Sequence, residues 1–286
     1  MFALKSEYKL HEGPVYGVAI SENIAFTASA DKTVKSIDLL TGIIQPFTVR
    51  SEVSPISLWA ISPELLAIGY LNGELYLVNP HTRKILFEHS FTAGEGVFSL
   101  YSFNDSELYI GLGSGRLAIL DFVRLDWIYI EQISTDKIRA IVYDTNTHCC
   151  YIGAKDGELI AFDVNDYCVN DRWHAHDGGV NSLCISSTNL LVSGGKDGHI
   201  RVWKTKECVN SIPAHRGVVY GLIEVGAYIV SCSRDKTIKV WEMESLKPVQ
   251  KITIHRQSVN QMAQQNAHSF VTASDDHRIA HWEYAE

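Results

Sequence analysis

The sequence predicts an all-β chain: a seven-bladed β-propeller with four-stranded antiparallel blades, its N-terminal strand completing the last blade. Three observations predict it. The chain repeats itself about every forty residues, each copy holds four short β-rich runs, and the last copy stops before its fourth run.

The repeat is plainest in three segments. They are Leu191-Val-Ser-Gly-Gly-Lys-Asp-Gly-His-Ile-Arg-Val-Trp203, Ile229-Val-Ser-Cys-Ser-Arg-Asp-Lys-Thr-Ile-Lys-Val-Trp241 and Phe270-Val-Thr-Ala-Ser-Asp-Asp-His-Arg-Ile-Ala-His-Trp282. Phe26-Thr-Ala-Ser-Ala-Asp-Lys-Thr-Val-Lys-Ser-Ile37 fits the same template with Ile for Trp, and weaker copies around Asn72-Gly73, Gly113-Ser-Gly115 and Asp156-Gly157 fill the gap. Anchored on the turn residue, the series runs Asp31, Asn72, Ser114, Asp156, Asp197, Asp235, Asp276, in steps of 41, 42, 42, 41, 38 and 41 residues. A fixed period of this size is the signature of a closed or stacked repeat architecture.

Within each unit, runs rich in β-branched and aromatic residues alternate with Gly, Asp and Asn turns, the pattern of an antiparallel meander. Val219-Tyr-Gly-Leu-Ile223, Tyr228 to Cys232, Thr237 to Trp241 and Pro248 to Ile252 illustrate it. One such sheet cannot cover both its faces, so the copies must pack around an axis. Seven units occupy residues 1–286 as a single domain. A strand at about residues 2–10, strongest from Leu4 to Leu10, is left over and supplies the outer strand of the last blade, which removes two unpaired edges.

These motifs resemble the WD40 family, over essentially the whole chain. The family's Trp-Asp dipeptide has drifted to Trp203-Lys204, Trp241-Glu242 and Trp282-Glu283, with Ile37-Asp38, Val78-Asn79, Leu120-Asp121 and Phe162-Asp163 at the equivalent positions. The resemblance implies a non-catalytic scaffold or adaptor that binds other proteins or peptides, as a monomeric propeller within a complex.

Polar residues recur in the same frame. His176, Ser193, Asp197 and Trp203 match His215, Ser231, Asp235 and Trp241, and His255, Thr272, Asp276 and Trp282; His11, Thr27 and Asp31 repeat the set without Trp. Ser, His and Asp together invite comparison with a hydrolase triad, but a nucleophile must be exposed beside an oxyanion hole, and one copy suffices. Four copies with an indole N–H available to occupy the hydroxyl describe a buried structural network, the role that the family resemblance also implies. Units two to four lack the His, so apolar packing and Gly-rich turns are expected to hold them.

Composition excludes other classes. With 33 acidic and 25 basic residues the formal net charge is −8, which argues against direct nucleic-acid binding. No apolar run is long enough to span a membrane, and no leader-like segment opens the sequence. The six cysteines (Cys149, Cys150, Cys168, Cys184, Cys208, Cys232) form no CxxC pair, so reduced thiols and a cytoplasmic location are expected. No metal and no cofactor is expected: Gly194-Gly-Lys-Asp-Gly198 and Gly111-Leu-Gly-Ser-Gly115 fall on the repeat's turns, and of His174 and His176, two residues apart beside Asp177, His176 is already taken by the network.

The family resemblance implies partner binding on the face that carries the inter-blade loops and tight turns. It places Tyr16, Ser57, Phe98, Arg139, Asn181, Tyr220 and Asn260 on one ring, with Ala30, Leu71, Gly113, Lys155, Lys196, Arg234 and Asp275 before the turns. Lys137, Arg139, Lys155, Lys196 and Arg234 then put five cations on units four to six, joined by the aromatics Tyr16, Phe98 and Tyr220. Such a face suits an acidic or phosphorylated peptide. The alternatives are a nucleic-acid-associated subunit of a larger complex, using the basic patch, and a propeller enzyme with a central-channel site. The inner-strand runs, from Val15-Tyr-Gly-Val-Ala-Ile20 to Val259-Asn-Gln-Met-Ala263, offer neither carboxylate nor His to the latter.

Overall fold

Seven four-stranded antiparallel sheets stand around a central channel in the computed structural model, which describes residues 1–92, 94–243 and 245–285. Blades one to six are consecutive meanders spanning residues 15–50, 55–90, 97–132, 138–174, 180–213 and 219–252. Blade seven comprises residues 259–284 and takes its outer strand from Phe2–Tyr8. Among the described residues no helix is long and apolar enough to cross a membrane.

The burial pattern follows from the packing of blade on blade. The second strand of each sheet is covered on both faces, so Cys149–Ala154 and Ser269–Ser274 are buried throughout. Outer strands alternate instead, as in Cys168–His174, because only one face meets a neighbour. The core therefore lies between blades. Leu75 and Leu77 of blade two meet Val97, Leu108 and Ile110 of blade three, and Tyr109 and Ile119 of blade three meet Ile152, Ile160 and Phe162 of blade four. Each such fully buried side chain contributes about 1.5–3 kcal/mol.

Closure uses the first strand, in register Phe2↔Tyr284 through Tyr8↔Ile279 with a bulge between Leu4 and Ser6. The strand begins at Phe2, two residues earlier than the Leu4 signal, because the Phe2 ring is a core residue. It packs edge-on against Tyr228, Phe270 and Tyr284. Gln250 of blade six accepts from the Phe2 N–H at 2.9 Å and donates to the Phe2 carbonyl at 2.7 Å. Blade six thereby holds the closing strand as well.

Candidate functional site

Four polar networks stand under the loop face. In blade five Trp203 Nε1 donates to Ser193 Oγ at 2.8 Å, Ser193 Oγ meets His176 Nε2 at 2.7 Å, and His176 Nδ1 meets Asp197 at 2.9 Å. A carboxylate accepts only, so the Asp197 contact calls for the proton on Nδ1 and leaves Nε2 to accept from the hydroxyl, while the Arg201 guanidinium, a donor to Asp197 as well, packs against the same Nδ1. Blades six and seven repeat this through Trp241, Ser231, His215 and Asp235, and through Trp282, Thr272, His255 and Asp276. In blade one His11 joins Thr27 at 2.8 Å and Asp31 at 2.9 Å, and Ile37 occupies the Trp position. All four imidazoles are buried. Desolvation by that burial pushes His176 and His215 down to about 4, against the pull of the facing carboxylates, and lowers His11 too. Asp235 is lowered as well: burial opposes its charge, but hydrogen bonds from Thr237 and the Arg216 N–H outweigh it and hold it at about 2.

The seven turns share a second device. The side chain at the turn position accepts from the backbone N–H two residues on in every blade: Asp31, Asn72, Ser114, Asp156, Asp197, Asp235 and Asp276. The residue after each is left-handed. Lys32, Lys236 and His277 sit at φ 66–71°, which side chains tolerate, whereas Gly73, Gly115 and Gly157 reach 91–97°, where only glycine is at ease. Blade four also has a polar network that the missing His concealed. Ser134 Oγ donates to Asp156 at 2.7 Å and Thr135 Oγ1 at 3.0 Å, so a hydroxyl stands in for the imidazole. Blade three instead pairs Arg116 with Glu95 at 3.2 Å. Apolar packing is therefore only part of what holds these blades.

The channel mouth is built by a bulge in every inner strand. Register shifts fall between Val15 and Gly17, Pro55 and Ser57, Val97 and Ser99, Ile138 and Ala140, Val180 and Ser182, Val219 and Gly221, and Val259 and Gln261. The unpaired residue in each is re-aimed toward the mouth. Six of these are the ring expected above: Tyr16, Phe98, Arg139, Asn181, Tyr220 and Asn260 all line the channel, a cavity of ≈ 770 Å³. Blade two departs from the expectation. Ile56 takes the bulge, and Ser57 turns inward, donating to the Val97 carbonyl at 2.7 Å. An offset of one residue reverses a side chain's direction in a strand.

One backbone bond per blade ties this ring to the turns. Ala30, Leu71, Gly113, Lys155, Lys196, Arg234 and Asp275 donate their N–H to Pro14, Ser54, Gly96, Lys137, Gly179, Val218 and Ser258, each two residues before the bulge. The basic residues are thereby gathered on neighbouring blades: Lys137, Arg139 and Lys155 on four, Lys196 on five, Arg234 on six. Lys155, Lys196 and Arg234 are exposed, while Lys137 and Arg139 are half-buried. Lys137 Nζ stands 4.4 Å and the Arg139 guanidinium 4.7 Å from the centre of the Phe98 ring, so Phe98 is a platform for two cations and not a free aromatic. A β-carbon at Gly113 would meet that ring at 2.9 Å, so the close approach requires glycine. Burial lowers the pKa of Lys137 and Arg139, the Arg139 and Lys155 charges adding to the effect on Lys137. Lys155 is partly neutralised by Asp136 at 3.5 Å. Tyr16 is exposed at the mouth and Tyr220 half-buried.

The structure changes the sequence reading of the channel wall. The inner strand of blade six runs on to Val225, so Glu224 joins the channel wall, which is not free of carboxylates. Its Oε2 accepts from the Ser187 N–H at 2.6 Å. Cys149 and Cys150 open a strand and are buried, and burial raises both thiol pKa values. His174 turns outward to Asp177 at 3.1 Å, while His176 turns inward to Asp197.

Comparison with known proteins bears on the fold and its lineage. The model of the WD domain, G-beta repeat, matches residues 167–204, 206–242 and 246–283. The WD repeat-containing protein 55 homolog of Dictyostelium discoideum is 23% identical over 225 residues, covering 77% of this chain and 55% of that protein. Human kinesin-like protein KIF21B is 32% identical over 311 residues, covering 96% of this chain and 19% of its own length. The zebrafish p21-activated protein kinase-interacting protein 1-like is 36% identical over 95 residues, covering 32% and 26%. The chain thus spans about half or less of the curated relatives named here. A chain in a crystal structure of the mitotic checkpoint complex superposes with a TM-score of 0.87 at 19% identity, covering 99% of this chain and 92% of that one. Seven blades, the Trp–Ser/Thr–His–Asp networks and three matched repeats agree: this chain is a seven-bladed propeller that carries WD40 repeats within residues 167–283.

Proposed function

We propose that this chain is a non-catalytic interaction scaffold whose loop face docks an acidic or phosphorylated segment of a partner protein on blades four to six. The carrying observation is the pair of half-buried cations, Lys137 and Arg139, stacked on Phe98 at the channel mouth. Both lose solvation there, and Arg139 Nε has no hydrogen-bond partner among the described residues. An incoming carboxylate or phosphate restores what burial removed, and a guanidinium meets such groups in a fixed, two-point geometry. Lys196 and Arg234 extend the positive surface toward solvent, where they steer an anionic partner more than they bind it.

The test is affinity capture from native extract with wild type beside Arg139→Glu/Lys196→Glu, followed by mass spectrometry. A partner lost only in the variant supports the reading. Unchanged capture by both proteins removes the basic face from the interface.

A further inference from the structure

The opposite mouth of the channel has the reverse electrostatics. Trp59, Tyr101, Tyr143 and Glu224 line the same cavity as Arg139. They stand toward the ends of their inner strands, whereas Arg139 stands at the start of its own. Trp59 and Tyr101, on neighbouring blades, lie 4.8 Å apart with planes tilted by 47°. Tyr143 stacks on Phe103 at 3.7 Å and extends the aromatic wall to blade four. Glu224 belongs to blade six, on the other side of the ring.

The surroundings share its sign. Seven hairpins join the first and second strands of the blades and encircle this mouth. With the strand residues that flank them they carry Glu22, Glu64, Asp105, Glu107, Asp144 and Glu224, and all of them being described, they hold no Lys or Arg. Like charges arranged around a cavity with apolar walls concentrate cations at its entrance. Aromatic faces and a carboxylate within that cavity supply the two groups that retain one, the ring quadrupole and a charged acceptor.

We propose that this mouth binds a basic partner segment by admitting one arginine or lysine side chain, its cation placed between the Trp59–Tyr101 wall and the Glu224 carboxylate. A phosphate-bearing partner is repelled by the same hairpins. The two mouths then select opposite charges, and the chain can bridge two partners without their competing for one face. The site uses none of the residues of the loop-face reading.

A fluorescein-labelled hexa-arginine peptide tests it, followed by anisotropy at physiological ionic strength. Glu224→Gln and Trp59→Leu are each expected to weaken binding about five-fold or more. Glu242→Gln, on an outer corner of blade six, should change it less than about two-fold. Arg139→Glu/Lys196→Glu should retain it, which separates failure here from failure of the loop-face reading. Glu224→Gln keeps the side chain's shape, so it remains informative if Trp59→Leu does not fold. Absence of saturable binding by wild type, or equal losses in Glu224→Gln and Glu242→Gln, overturns the proposal.

Discussion

Blades five to seven and blades two to four solve the same packing problem with different polar parts. Blades five to seven keep the Trp and connect it through a hydroxyl and an imidazole to the turn carboxylate. They have lost the Asp that follows the Trp in the family, carrying Lys204, Glu242 and Glu283 there. Blades two to four have lost the Trp but keep Asn79, Asp121 and Asp163, and Asp38 does the same in blade one. Each accepts two backbone N–H groups at the corner between third and fourth strands, as Asp121 does from Val123 at 3.0 Å and Arg124 at 2.8 Å. The Trp-Asp dipeptide is therefore two separable devices. One stiffens the loop face and the other the opposite corner, and this chain has divided them between its halves.

Breaking a network in blade six should have the largest effect. Ser231→Ala leaves the Trp241 N–H without its acceptor and His215 Nε2 without its donor, both buried, at a cost of about 2–5 kcal/mol. Ser99→Ala in blade three removes only a 3.4 Å bond to the Ile138 carbonyl and should cost under about 1 kcal/mol. Urea melts of the two variants measure the contrast, and equal losses would sink it.

Gly115→Ala tests the other half. Its φ of 91° lies beyond the left-handed basin, and a β-carbon would sit 2.2 Å from the Ser134 carbonyl oxygen. A loss of about 2–3 kcal/mol is expected. Lys236→Gly at the same turn position of blade six, where φ is 71°, should stay within about 1 kcal/mol of wild type.

Acid sharpens the comparison further. His176 and His215 titrate at about 4 in the fold and near 6.5 when unfolded, so the unfolded chain takes up their protons first. Their contribution is complete above pH 6.5 and is lost as pH falls from there toward 4, by up to about 3 kcal/mol each. The depressed Asp197 and Asp235 lose theirs only below the ordinary carboxylate range. Hydrogen exchange should be faster in blades two to four than in five to seven at about pH 7, and the difference should shrink by about pH 5. Protection that is uniform across blades at neutral pH, or a difference that does not change with pH, would falsify this account.

Much of the site was legible because the repeat supplies its own alignment. Once Asp197, Asp235 and Asp276 share a frame, the His, Ser or Thr, and Trp positions follow, and the structure brings those residues within hydrogen-bond distance. The weak units were harder to read. Ser134 replacing a His looks like an ordinary loop residue, because a hydroxyl marks no particular partner until Asp156 is folded against it. Ser57 was placed one residue out because a bulge adds a residue without a compositional mark, and Pro55-Ile56 offers none. Glu224 fell outside the channel list because its strand runs two residues beyond its apolar stretch.

The sequence by itself determined the number of blades, their four-stranded grammar, the ring closure and the four His networks. These are local patterns repeated at a fixed period, and each copy corroborates the others. Only the tertiary structure decided what faces what: that Phe98 lies under two cations, that Ile56 takes the bulge while Ser57 bonds the neighbouring blade, and that Glu224 shares the channel wall with Trp59 and Tyr101. Those properties arise between blades about forty residues apart in the chain, where only ring closure and the bulges set the distances.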